Sequence, residues 1–450
     1  MTTMRPIAEL AADLAAGRTT SRELTEAALA RIADPAGEGA AAFMTVHAEA
    51  ARAAADASDR LRGHGVVPSP LAGIPVSIKD LFDEQGQVTR AGSVALADAP
   101  PAASDAPIVA RLRAAGAVIV GRTNMVEFAF SGVGLNPHYG TPAAPFERAA
   151  NRRVPGGSSS GAAVSVTDGM AAVAIGSDTG GSVRIPSAFC GLAGLKPTAS
   201  RVPTAGAFPL STTLDSIGPL AATLACCAVT DAIMAGTEPT VPESAPLAGL
   251  RFGLPRNIVR EGIEPVVADI FDAALQRLSK GGARIEEFDF DELTEIPVAN
   301  ARGGFAVAEA WALHRARIAD RGDRFDPRVR VRVERGAGMD AADYIDLLHV
   351  RADINRRAEA RTARFDAVVM PTCVLLPPPI ANFADDGYYG RTNLLILRNT
   401  SFGNFLDRCS VSIPATPAGG PPVGFCLVGP HGGDRRLLAV GQAVEAALAA

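Results

Sequence analysis

The sequence predicts an α/β fold: one large domain, with a central mixed, mostly parallel β-sheet covered by helices on both faces. Three observations carry this. The phrase amphipathic helix, glycine, apolar strand occurs twice, at 104–120 and at 265–290. Short apolar runs of strand length recur between helix-length segments, and such alternation favours an α/β sheet over separate all-α or all-β units. A chain of 450 residues that is 48% hydrophobic has ample material for a large core.

In chain order, the first 65 residues read as helical. Thr20-Ser-Arg-Glu23 has capping-box form, in which hydroxyl and carboxylate each cap a first-turn N–H, and it opens a helix through Leu29 and Ile32. An Ala-rich helix follows at 46–62. Residues 70–220 form the expected core. There Pro107 sits in the first turn of a helix, Gly116 ends it, and Ala117–Val120 is a buried strand. Pro265 opens the second such helix, with apolar residues at 267, 270, 271, 274, 275 and 278. Gly281-Gly282 ends that helix before a strand at 284–290. Further strands are expected at 75–78, 172–175, 250–254, 366–370, 410–413 and 423–428. The Pro-rich 237–247 is a surface connection, 240–363 a mostly helical cover, and 364–450 returns to the sheet.

Composition excludes several classes. Net charge is −5 with both signs mixed along the chain, so no basic surface for nucleic acid is expected. The N-terminus lacks the basic start and pure apolar run of a signal peptide. The most membrane-like stretch, 219–236, is interrupted by Thr223, Thr230 and Asp231 and is too short to span. Six cysteines show no C-x-x-C pair, and Cys226-Cys227 reads as helix core. No metal motif, Walker loop or G-x-G-x-x-G occurs, so no metal and no cofactor is expected. The reading is a soluble cytoplasmic protein.

The chemistry concentrates in 155–187, PGGSSSGAAVSVTDGMAAVAIGSDTGGSVRIPS. Gly157–Gly161 satisfies G-x-S-x-G around Ser159, but the nucleophile elbow needs a preceding strand, which 151–156 does not supply. It also needs a histidine, and His314, His349 and His431 stand in no recognisable context. Gly176–Ser182 fits better. It follows an apolar strand, and Gly180 and Gly181 allow a tight turn whose N–H groups converge as an oxyanion hole requires. Ser182 at its end is placed to attack a carbonyl, but a serine needs a base. Only three lysines occur, Lys79, Lys196 and Lys280. A buried lysine can lose its proton where arginine cannot, and Lys79 ends an apolar strand. On this context alone, a salt-bridged structural lysine at the strand end is the favoured reading.

Together these residues resemble the amidase signature family. The resemblance rests on GIPVSIKD with Lys79, PGGSSSG with Ser158, and GSDTGGSVRIPSAFCGLAGLKPT with Ser182. It continues through 214–220 and, more loosely, 368–372 and 423–430, so it covers nearly the whole chain. It implies a Ser–cis-Ser–Lys triad in which Ser182 is the nucleophile, Ser158 the bridge on a cis Gly157–Ser158 bond, and Lys79 the base. The N–H groups of Thr179, Gly180, Gly181 and Ser182 would hold the oxyanion, and Ala129, Phe130 and Ser131 would contact the acyl group. Asp178 and Arg184 read as a buried pair bracing the loop. The implied activity is amide C–N hydrolysis through an acyl-enzyme, on aryl or alkyl amides and on carbamates or esters. The substrate is thus a small amide or carbamate, with a homodimer left open as the assembly. The alternatives are the glutaminase subunit of a tRNA-dependent amidotransferase and an inert scaffold.

Overall fold

The computed structural model describes residues 5–417 and 419–449. Among these residues eleven strands form one sheet. They are β1 (Phe43–Val46), β2 (Pro75–Lys79), β3 (Val118–Thr123), β4 (Val173–Asp178), β5 (Ala193–Lys196), β6 (Ser216–Ala221), β7 (Arg251–Pro255), β8 (Arg284–Phe288), β9 (Ala367–Pro371), β10 (Ser410–Pro414) and β11 (Gly424–Val428). Their order is β1-β3-β2-β4-β6-β5-β10-β11-β9-β7-β8.

The α/β class and the mixed sheet hold, but the sheet is not mostly parallel. Parallel pairing joins β3, β2 and β4 on one side and β8, β7 and β9 on the other. The six remaining pairings are antiparallel. The two helix-glycine-strand phrases lie in the parallel blocks, where helices Pro107–Ala114 and Pro265–Lys280 cross over from β2 to β3 and from β7 to β8. Between the blocks the strands are buried on both faces, and an unbroken apolar run carries no sign of its direction.

Other differences are local. β1 interrupts the expected N-terminal helical region and pairs antiparallel with β3. β5 and β6 are further strands that the sequence reading does not include. Gly218 in β6 approaches the neighbouring chain so closely that a Cβ there would lie 1.9 Å from the Leu195 carbonyl oxygen, so the strand carries glycine where packing demands it. A 20-residue helix, Asp386–Phe405, lies inside the segment expected only to return to the sheet.

The site follows from the topology. β2 and β4 are parallel neighbours, with Ile78 opposite Ile175, so their C-terminal residues Lys79 and Ser177-Asp178 emerge at the same sheet edge. Helix Ser160–Thr167 packs behind them, and the hydroxyls of Ser77 and Ser165 lie 2.8 Å apart.

Candidate active site

Lys79 is completely buried at the end of β2, and no carboxylate pairs with it among the described residues. Its Nζ lies 2.7 Å from Ser158 Oγ and 2.9 Å from Ser177 Oγ. Burial pushes the ammonium down from 10.5 to about 7, against the opposing attraction of Asp178 and Asp215. Near neutral pH Nζ can therefore carry a lone pair beside a hydroxyl that has a proton to give. Ser177, to which the sequence assigns no role, is the second partner of the lysine.

Ser158 is the serine that faces Lys79; its neighbours are not. Ser159 Oγ reaches only the Ser177 carbonyl at 3.4 Å, and Ser160 begins the helix behind. The Gly157–Ser158 peptide bond is cis. Gly157 N–H donates to Gly132 O (2.8 Å) and Val126 N–H to Ser158 O (3.0 Å), which ties this loop to the 126–132 segment. A Cβ on Gly157 would lie 2.7 Å from Gly134 N, so two backbones meet there without room for a side chain.

Ser182 lies between β4 and helix Arg184–Cys190, with 3% of its surface exposed where Ser158 and Lys79 have none. Asp178 organises this turn. Its carboxylate accepts from Gly181 N–H (2.8 Å) and Val183 N–H (3.1 Å), and pairs through both oxygens with Arg184 (2.9 and 3.1 Å). Burial alone would raise the Asp178 carboxyl, but Arg184 holds it well below the carboxylate range. The expected bracing role of this pair is what the geometry shows. One expected oxyanion donor, Gly181 N–H, is already engaged by Asp178, so Thr179, Gly180 and Ser182 are the candidates that remain. Thr179 is oriented through its side chain, whose hydroxyl donates to Asp215 Oδ1 at 2.5 Å.

The 128–131 run lies beside the cis-serine loop. Ala129 has φ +60° and follows Phe128 at φ +50°, so the chain turns sharply before reaching Phe130. Phe130 is partly exposed and remains a candidate contact, whereas Ala129 is buried. Ser131 is a correction. Its Oγ donates to Asn393 Oδ1 (2.9 Å) and accepts from Tyr389 OH (2.8 Å) and Val133 N–H (3.1 Å), which exhausts a hydroxyl. Its hydrogen-bonding capacity is spent within the protein, on helix Asp386–Phe405 and on Val133.

Helix Asp386–Phe405, missed in the sequence, supplies three further neighbours. Leu397 touches the sites of Gly132 and Gly180, its Cδ2 lying 3.1 and 3.4 Å from where their Cβ atoms would be. Thr400 Oγ1 donates to Gly180 O at 2.7 Å. Asn404 Nδ2 donates to Asp178 O (3.0 Å) and Oδ1 (2.9 Å). His314 plays no part as a base: it is buried against Phe128, Phe208 and Phe325 at 4.2–5.7 Å between ring centres. Among the described residues no cluster of His, Cys, Asp and Glu could hold a metal, and no helix is long and apolar enough to cross a membrane.

The family model described as Amidase matches residues 23–438. The chain belongs to the amidase family. Among curated relatives of this amidase-family chain, the 2-amino-5-chloromuconic acid deaminase of Comamonas testosteroni is 37% identical, over 90% of this chain and 88% of the relative. A glutamyl-tRNA(Gln) amidotransferase subunit from Roseiflexus sp. is 35% identical, over 95% and 93%. Among solved structures, a crystal structure of an amidase superposes with a TM-score of 0.87 at 31% identity, covering 98% of this chain and 99% of the other.

Proposed function

We propose that this amidase-family hydrolase works alone, cleaving aryl and alkyl amides, and carbamates or esters, through Ser182, Ser158 and Lys79. The observation that carries the proposal is the 2.7 Å contact between Ser158 Oγ and a buried lysine whose ammonium is brought to about 7. Neutral Lys79 accepts the Ser158 proton as Ser158 accepts that of Ser182, and Ser182 Oγ bonds to the substrate carbonyl carbon. The N–H groups of Thr179, Gly180 and Ser182 receive the negative oxygen. Ser158 then gives a proton to the departing nitrogen and takes one back from Lys79, which breaks the C–N bond and leaves Ser182 acylated and Lys79 neutral again. Water then loses a proton through Ser158 to Lys79 and bonds to the acyl carbon, and the proton returns through Ser158 to Ser182 Oγ as the acyl C–O bond breaks and the acid leaves. An amine leaves poorly without that proton, which is why a bridging hydroxyl between base and nucleophile is useful.

The acyl group is proposed to be apolar because Leu397, beside Gly180, and Phe130 are the neighbours a bound acyl chain would meet. Relatives named as components of a glutamyl-tRNA(Gln) amidotransferase support the alternative of a glutaminase subunit. Against it, a glutamine side chain would need polar partners where Leu397 stands, and the Ser131 hydroxyl is already occupied.

The test is amine release by wild type and Ser182→Ala on an aryl amide, its carbamate counterpart, glutamine, a small primary amide and 2-amino-5-chloromuconic acid. The expected result is turnover of the aryl substrates that falls at least about 10⁴-fold in the variant. Turnover of glutamine alone would favour the glutaminase reading, and undiminished turnover in Ser182→Ala would remove the triad.

A further inference from the structure

The peptide group joining Gly180 to Gly181 is held at both ends. Its carbonyl oxygen accepts from Thr400 Oγ1 at 2.7 Å and its N–H donates to Asp178 Oδ1 at 2.8 Å. A peptide unit is planar, with its C=O and N–H pointing in opposite directions, so fixing both ends fixes the plane. This matters more here than elsewhere because neither residue has a side chain to resist rotation. Gly181 sits at φ +132°, where L side chains are strained, and a Cβ on it would fall 2.1 Å from Thr400 Oγ1. Glycine is therefore required for the close approach of Thr400, and it also leaves the peptide free to flip unless something holds it.

We propose that Thr400 is a positioning residue for the oxyanion hole. Its hydroxyl locks the Gly180–Gly181 peptide with the carbonyl turned away from the reacting oxygen, which keeps the flanking Gly180 and Ser182 N–H groups convergent. Without the lock this peptide can rotate, and the Gly180 and Ser182 N–H groups on either side of it lose their convergence on the developing negative charge that the turn exists to stabilise.

Two features make Thr400 more than a packing residue. Its single proton has two acceptors within reach, Gly180 O at 2.7 Å and Leu397 O in its own helix at 3.1 Å, and the shorter contact is the one to the loop. One helical turn further on, Asn404 binds both the Asp178 carbonyl and its carboxylate and also accepts from Arg184 (2.7 Å). Asp178 is the group that holds the other end of the same peptide. A single face of helix Asp386–Phe405 thus secures both anchors of one amide group.

The inference rests on the proposed acyl transfer at Ser182, so its test has one measurement that does not depend on catalysis. Thr400→Val keeps the shape and removes the proton donor; Thr400→Ser keeps the donor. Hydrogen exchange followed by mass spectrometry over 178–184 reads the lock directly. Faster exchange is expected in Thr400→Val, with wild-type behaviour in Thr400→Ser and unchanged melting temperatures in both. In turnover of an aryl amide, Thr400→Val is expected to lower kcat by about 10- to 100-fold, somewhat less than loss of a direct oxyanion donor. KM should stay within about twofold and Thr400→Ser should recover most of kcat. Exchange equal to wild type in Thr400→Val, or equal kcat, overturns the proposal. Altered exchange in a protein whose turnover survives Ser182→Ala would keep the lock and reject the acyl-transfer reading instead.

Discussion

Lys79 and Lys196 make an instructive pair. Each ends a strand of the same sheet, each is at most 1% exposed, and burial pushes each ammonium down, to about 7 and about 8. What differs is the partner. Lys196 Nζ donates to the Pro197 carbonyl at 2.7 Å, and a carbonyl has no proton to return. Lys79 faces two hydroxyls, Ser158 on the cis-serine loop and Ser177 in β4, the strand that runs into the turn bearing Ser182. Burial makes a lysine capable of being neutral; a neighbour with a proton to give makes it a base. A depressed ammonium is therefore half of the argument, and the hydroxyl beside it is the other half.

The sharpest way to break this comparison is to replace each lysine by methionine. Lys79→Met is expected to slow acylation of Ser182 by about 10³-fold, within the range for loss of a general base. Lys196→Met should leave it within about threefold, measured by single-turnover amine release. Equal losses in the two variants would show that the facing hydroxyl does not distinguish them.

A smaller effect sharpens the role of Ser177. Its hydroxyl accepts from Lys79 and so favours the charged form. Ser177→Ala should move the pH inflection of acylation below that of wild type, by about one unit for a hydrogen bond to a charged group. An inflection that moves upward would mean Ser177 supports the neutral amine.

The smallest effect is on stability. Both lysines have folded values below the unfolded 10.5, so the unfolded chain binds more protons over the interval between them. Their contribution to stability is full above about 10.5 and is lost as pH falls, through about 8 for Lys196 and about 7 for Lys79. Denaturant titrations from pH 7 to 10 should show stability rising in wild type and rising less in either methionine variant. A slope unchanged in both would mean that neither lysine is held neutral.

The same contrast explains what could be read from the chain. Lys79 and the Gly180-Gly181-Ser182 turn were legible because each has a local cause, an apolar strand ending in lysine and two glycines ahead of a serine. Ser158 became distinguishable from Ser159 and Ser160 only through the family resemblance; the three differ in which one faces Lys79, and no local pattern encodes that. Helix Asp386–Phe405 stayed hidden because its inward positions include Asn393, Asn399, Thr400, Gly403 and Asn404, all buried. Those residues serve the loops they touch, and in doing so they erase the apolar stripe by which a helix is recognised. The engagement of Gly181 N–H and the occupied Ser131 hydroxyl depend on hydrogen bonds that no sequence pattern announces, the latter to Asn393 far along the chain. Strand direction in the middle of the sheet was illegible for a related reason, since burial on both faces removes the alternation that would accompany a half-exposed antiparallel strand.

The most direct test of the account is the pH dependence of Ser182 acylation, followed as single-turnover amine release from an aryl amide in wild type and Lys79→Met. The account predicts a rate that rises with pH through about 7, as Lys79 loses its proton, and then levels, with the inflection absent from the slow residual rate of the variant. A wild-type rate with no inflection near that pH, or one that persists in Lys79→Met, would contradict the assignment of Lys79 as the base.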